Sequence, residues 1–130
     1  MSTASIGADV LLIDILVPVR LVSEANSHAH WRERQKRAKS HRSIAMLLCR
    51  AATEWQVPNP NRRYRVLMTR IAPRQLDSDN LAGSCKHIRD GIADAMGIDD
   101  RSPLIDWQVA QEKGEPNTYA ARVRIWEIDR

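Results

Sequence analysis

Pro58 and Pro60, in the run Val57-Pro58-Asn59-Pro60-Asn61, set a boundary that neither a helix nor a central strand can cross. On the N-terminal side lies a helical pattern from about His28 to Trp55. On the other side, Arg63 to Ile71 reads as a strand stopped by Pro73. The same punctuation recurs along the chain. Val10 to Val17 is an apolar, β-branched run ended by Pro18, and its slight alternation predicts a strand buried on both faces or nearly so. Asp79 to Met96 carries Leu81, Cys85, Ile88, Ile92 and Ala95 at 4-3-4-3 spacing, one apolar stripe on a second helix, with Gly97 placed to end it. Leu104 to Glu112 and Tyr119 to Ile128 read as two further strands. The turn residues Gly114-Glu115-Pro116-Asn117 between them predict a hairpin. Residues 1–8 are small and polar and read as a loose end.

The expected fold is therefore a single small α/β (α+β) domain over residues 1–130, in the order β-α-β-α-β-β, with helices packed on a mixed sheet. A chain of 130 residues can close one core without staples. Cys49 and Cys85 stand alone, with no spacing that suggests zinc. The absence of a long apolar run or a signal-like N-terminus predicts a cytoplasmic protein.

Twenty Lys and Arg against sixteen Asp and Glu give a net charge of +4, and the charge is unevenly spread. Arg32, Arg34, Lys36, Arg37, Lys39 and Arg42 crowd the first half of the long helix against Glu33 alone, while the second half is apolar. A helix basic on most sides is either a solvated projection or lies along a polyanion, and phosphate is the natural counter-charge. Only Ala38 is apolar between residues 32 and 43, so a membrane-surface helix is disfavoured. Trp31 and His30 precede the run and are read as packing groups or as contacts to nucleic acid.

Seven of the sixteen acids fall between Asp77 and Asp106. On a helical wheel Asp79, Lys86 and Asp90 lie about 140–180° from Leu81, opposite the apolar stripe. Asp77 lies just ahead of the helix and Asp99-Asp100 just behind it. Hard oxygen ligands of this kind suit Mg²⁺, and a neighbouring lysine can offset charge on a reacting phosphate. The same residues also serve as helix caps and turns, with Ser78 or Asp79 the expected N-cap. A calcium-binding EF-hand is excluded, because Ile88 stands where its twelfth-position glutamate belongs.

The ordered set Asp77-x-Asp79-Asn80-Leu81, a lysine and aspartate along the following helix, then Gly97-Ile98-Asp99-Asp100, resembles the RusA-type Holliday junction resolvases. These are small dimeric bacterial and prophage endonucleases that cut four-way DNA junctions with Mg²⁺ or Mn²⁺. The resemblance covers most of the chain in element order and is sharpest from Asp77 to Asp100. It implies that Asp77, Asp79 and Asp100 hold the metal, that the protein is a homodimer acting on branched DNA, and that it works in a bacterial or phage-infected cell. The lysine departs from the pattern. Gly83 occupies the family position four residues after the second aspartate, whereas Lys86 keeps the family spacing to Asp90 and becomes the catalytic candidate. Asn26, His28, His30 and Trp31 resemble the phage members' N-terminal region. Two other readings stand beside this one: a non-catalytic nucleic-acid-binding module, and a nuclease without junction preference.

Overall fold

The structure, a computed structural model, describes residues 9–23, 30–52 and 61–128. Seven elements follow in order: β1 (Val10–Val17), α1 (Trp31–Ala51), β2 (Arg63–Ala72), α2 (Ser78–Ser84), α3 (Lys86–Met96), β3 (Ile105–Lys113) and β4 (Ala120–Ile128). Among the described residues they form a small α+β domain, a mixed four-stranded sheet with three helices. The readings made for residues 1–8, Asn26, His28 and the Pro58–Pro60 break lie outside the described residues, as do both predicted ends of the long helix.

The sheet order is β1-β4-β2-β3. β2 pairs in parallel with β3, the chain returning between them through α2 and α3, and β2 also pairs antiparallel with β4. The predicted β3–β4 hairpin is therefore not formed. Residues 114–119 instead carry the chain past the end of β2, so that β4 enters the slot between β1 and β2. Gly114 fits that crossing: its amide donates to the Ala72 carbonyl, and a Cβ there would press on the Ile71 side chain at 3.1 Å. Turn-forming composition predicted where the chain bends, but not which strand it would meet.

The core lies on one face of the sheet. Ile13 and Val17 of β1, Tyr64, Val66 and Met68 of β2, and Ala121, Val123 and Ile125 of β4 pack with Ala45 and Cys49 of α1 and with Ile88, Ile92 and Met96 of α3. The opposite strand faces carry cross-strand ion pairs, Asp14 with Arg122 and Arg65 with Asp106. This one-sided covering corrects the reading of β1 as doubly buried. It is an edge strand, and Leu16, opposite the core face, is 61% exposed.

α1 and α3 cross closely at Gly91, where a Cβ would collide with the Arg42 carbonyl and come within 3.0 Å of the Ala45 Cβ. From His41 onward α1 places His41, Ala45 and Cys49 in the interior, whereas none of Trp31 to Ser40 is buried. The first ten residues, about 15 Å of helix, are thus largely exposed, with Arg37 and Ala38 half-buried.

The predicted helix from Asp79 to Met96 is broken at Cys85 into α2 and α3. Ser84 turns its hydroxyl back to the Leu81 carbonyl at 2.7 Å, and the Cys85 amide bonds the Ala82 carbonyl three residues back. A Gly83-Ser84 pair with such back-bonding is a recognised cause of helix kinks. The 4-3-4-3 stripe survives the break because Cys85 and Ile88 are both buried.

Candidate functional site

Asp77 is the N-cap of α2, in place of the Ser78 or Asp79 expected from sequence. One carboxylate oxygen accepts the Asn80 amide at 2.9 Å and the other accepts the Asn80 side-chain NH₂ at 3.1 Å. The Asn80 side-chain oxygen in turn accepts from the Ser23 hydroxyl at 2.8 Å, tying the segment after β1 to the helix start. The approach to Asp77 is fixed by two further ties. Gln111 on β3 accepts from the Leu76 amide at 2.9 Å and donates to the Leu76 carbonyl at 2.7 Å. Arg70 on β2 donates to the Arg74 carbonyl at 2.6 Å. Asp79 stands exposed in the first turn of α2. Asp77 is likewise exposed, so two carboxylates two residues apart face solvent at a rigidly held helix start.

Asp100 lies elsewhere. Its backbone carbonyl accepts from Trp107 Nε1 at 2.9 Å and from Arg89 at 3.0 Å, and its carboxylate is 3.7 Å from the Arg89 guanidinium. Trp107 and Gln111 are four residues apart on β3, about 13 Å of strand. Asp100 is anchored at the first and Asp77 beside the second, so one protomer does not bring them together. Among the described residues, no three His, Cys, Asp or Glu side chains gather closely enough to hold a metal ion.

Asp100 instead borders an open cleft of about 330 Å³ lined by Arg42, Asp90, Asp94, Asp99 and Arg101. Its acids are largely matched by arginines. Arg42 grips Asp94 through Nε and one terminal nitrogen, at 2.6 and 2.9 Å. Those hydrogen bonds from Arg42 hold the Asp94 carboxyl below its ordinary range. Asp99 accepts the Arg101 amide at 2.8 Å, which lowers its pKa as well. Lys86 opens α3 on the exposed side, seven residues beyond Asp79 and just past the kink.

Of the basic helix, Arg32, Arg34, Lys36 and Lys39 are exposed and Arg37 is half-buried, while Arg42 is engaged by Asp94. Nδ1 of His30 accepts the Arg32 amide at 3.2 Å and so caps α1. Trp31 is 50% exposed, with the Arg32 guanidinium 5.7 Å from its ring, and is not a core packing group.

One group of residues escaped the sequence reading. An open cleft of about 420 Å³ beside the Asp77 helix start is lined by Arg20, Ser23, Arg70, Arg74, Leu76 and Tyr119. The signal was present in β2. Tyr64, Val66, Met68, Arg70 and Ala72 share the core-facing parity, and a lone arginine in that series is an unusual inward charge.

The fit of these groups to a divalent cation can be judged from the donors. Mg²⁺ takes one or two carboxylates, keeps several waters and accepts substrate phosphate oxygens. Asp77 and Asp79 meet that requirement as a pair, and a third carboxylate is not supplied by Asp100 of the same protomer. No family model matches the chain. It is 36% identical over 91 residues to an uncharacterized protein of Xylella fastidiosa (strain Temecula1). That match takes in 65% of this chain and spans 60% of the relative's length.

Proposed function

We propose that the protein is a Mg²⁺- or Mn²⁺-dependent, structure-specific DNA endonuclease of the RusA type, acting as a homodimer on four-way or branched junctions. The observation that carries the reading is the exposed Asp77–Asp79 pair at a tied-down helix start, beside a cleft of arginines. Asp77 and Asp79 would hold the cation. When bound, it makes a coordinated water more acidic and offsets charge at the scissile phosphate. Asn80 fixes the Asp77 carboxylate through two hydrogen bonds, so its orientation does not have to be acquired on binding. Lys86, two helical turns on, would lend positive charge to the departing strand. Asp100, at the far end of β3, would act in the site of the second protomer, for which a two-fold dimer supplies the symmetry. The largely exposed half of α1, with Arg32, Arg34, Lys36, Arg37 and Lys39, would lie along a junction arm.

The rival is a non-catalytic binding module, favoured by the capping role of Asp77 and by the arginines on Asp94, Asp99 and Asp100. A synthetic four-way junction and a linear duplex of the same sequence, each incubated with Mg²⁺, Mn²⁺ or EDTA, decide the matter. Metal-dependent incision of the junction alone is expected. Binding without incision in either metal selects the module, and equal cutting of the duplex selects a general nuclease.

A further inference from the structure

The arginine cleft beside Asp77 is built around a buried charge. Arg70 is only 7% exposed, yet its guanidinium spends Nε on the Leu21 carbonyl at 3.0 Å and one terminal nitrogen on the Arg74 carbonyl at 2.6 Å. Both partners are neutral. Among the described residues no carboxylate pairs with Arg70, Arg20 or Arg74, whereas Arg62, Arg65, Arg89 and Arg122, elsewhere on the protein, each have one. Burial pulls the Arg70 pKa below its ordinary value, and the charge of Arg20 pulls the same way. Isolated buried charge is costly unless something compensates it, and three cations around one opening favour an anion. Arg20 is held in place by the Tyr119 ring, 4.2 Å below its guanidinium, so part of its ordering cost is met before any ligand arrives.

We infer that this cleft is a phosphate seat, holding one backbone phosphate of a nucleic-acid strand between Arg20, Arg70 and Arg74, next to the Asp77–Asp79 pair. The inference deepens the endonuclease reading, since a strand gripped here is presented to the helix start through Ser23 and Asn80, which join the cleft wall to Asp77. Arginine suits the task because its planar fork matches phosphate oxygens in pairs. The cleft differs from the mostly exposed α1 run in its central charge, Arg70, which is buried and oriented by backbone carbonyls, with the exposed Arg20 and Arg74 beside it.

The test uses Arg20→Ala/Arg74→Ala, both exposed side chains, and leaves the buried Arg70 intact. ¹H–¹⁵N spectra are recorded while inorganic phosphate is added against chloride at matched ionic strength. Saturable shifts are expected at the Ser23, Arg70 and Arg74 amides and the Arg70 Nε–H, and are lost in the double variant. Junction binding is then followed by fluorescence anisotropy in EDTA, where no cleavage occurs. Loss of one seated phosphate makes the slope of log K against log salt shallower by about 0.9, whereas Arg63→Ala, on the first residue of β2, leaves it unchanged. Phosphate shifts no different from chloride, or a wild-type slope in the double variant, overturn the inference. The two readings fail separately. Phosphate seating with the slope change, in a protein that never cuts, keeps the seat and removes the nuclease; metal-dependent cutting with an indifferent cleft does the reverse.

Discussion

Replacing Asp77 by asparagine separates the two roles this carboxylate can have. As a cap it needs one oxygen for the Asn80 amide, 2.9 Å away, and asparagine supplies that as well as aspartate does. What changes is the second contact, at 3.1 Å to the Asn80 NH₂. Two amide NH₂ groups would meet there unless Asn80 flips, after which the Ser23 hydroxyl can accept instead of donate. Losing one solvent-exposed hydrogen bond and the favourable charge at the helix start costs about 1 kcal/mol together, or roughly 4 °C in Tm for a domain of this size. Asp77→Ala, which removes the cap outright, costs about 1–2 kcal/mol. Neither change unfolds the protein well below its Tm. If Asp77 holds a cation, Asp77→Asn abolishes Mg²⁺-dependent junction incision, while binding of the junction in EDTA is retained or strengthened by the loss of negative charge. The assay pairs gel-resolved incision with anisotropy and a thermal melt on the same sample. Asp77→Asn with incision near the wild-type rate would falsify the ligand assignment and leave Asp77 a cap.

Four other outcomes are expected. Gly91→Ala forces a Cβ onto the Arg42 carbonyl and costs roughly 1–3 kcal/mol of packing, only partly offset by about 1 kcal/mol of helix propensity; Gly83→Ala, with open space around it, is neutral or stabilising, and equal melts for the two would reject the close α1–α3 crossing. Asp94 and Asp14 both have lowered pKa values through hydrogen bonds from Arg42 and Arg122, so their stabilisation is complete above about pH 4–5 and disappears as pH falls through the folded values; Asp94→Asn and Asp14→Asn are less stable at neutral pH and converge with wild type in acid, which pH-dependent melts will check. With Arg42 engaged by Asp94, replacing Arg32, Arg34, Lys36, Arg37 and Lys39 together by glutamine flattens the salt slope of junction binding by up to about 4.5, and an unchanged slope removes α1 from the interface. Mixing inactive Asp77→Asn and Asp100→Asn proteins restores about a quarter of the wild-type nicking if each site draws on both protomers, since half the dimers are hybrids with one intact site; no recovery after confirmed subunit exchange rejects the shared site.

Elements were legible where a single periodicity or a proline decided them, and β2 and α1 are the examples. What could not be read was which elements become neighbours. The link 114–119 has hairpin composition, yet β4 is taken by the gap between β1 and β2, where its alternate Ala121, Val123 and Ile125 join the core. The kink at Cys85 was hidden for a related reason. The apolar stripe continues through it, and a serine bonding back to its own turn leaves no mark on hydrophobic spacing. At the candidate site, the motif singled out Asp77 and Asp79, which stand exposed at one helix start, but counting residues to Asp100 says nothing about which end of β3 it reaches.

The distribution of counter-charge is what gives the two clefts different meanings. At the Asp100 end, Arg42, Arg89 and Arg101 stand against Asp94, Asp100 and Asp99, so opposite charges are matched within the protomer. At the Asp77 end, two exposed carboxylates and three arginines lie close together, yet among the described residues they are not paired with one another. Arg70 is spent on holding the Leu21 and Arg74 carbonyls, and Asp77 on holding Asn80. Opposite charges kept near each other but apart retain their fields for something else. A phosphodiester approached by a divalent cation is one ligand that uses both signs at once, the cation falling to the carboxylates and the phosphate to the arginines.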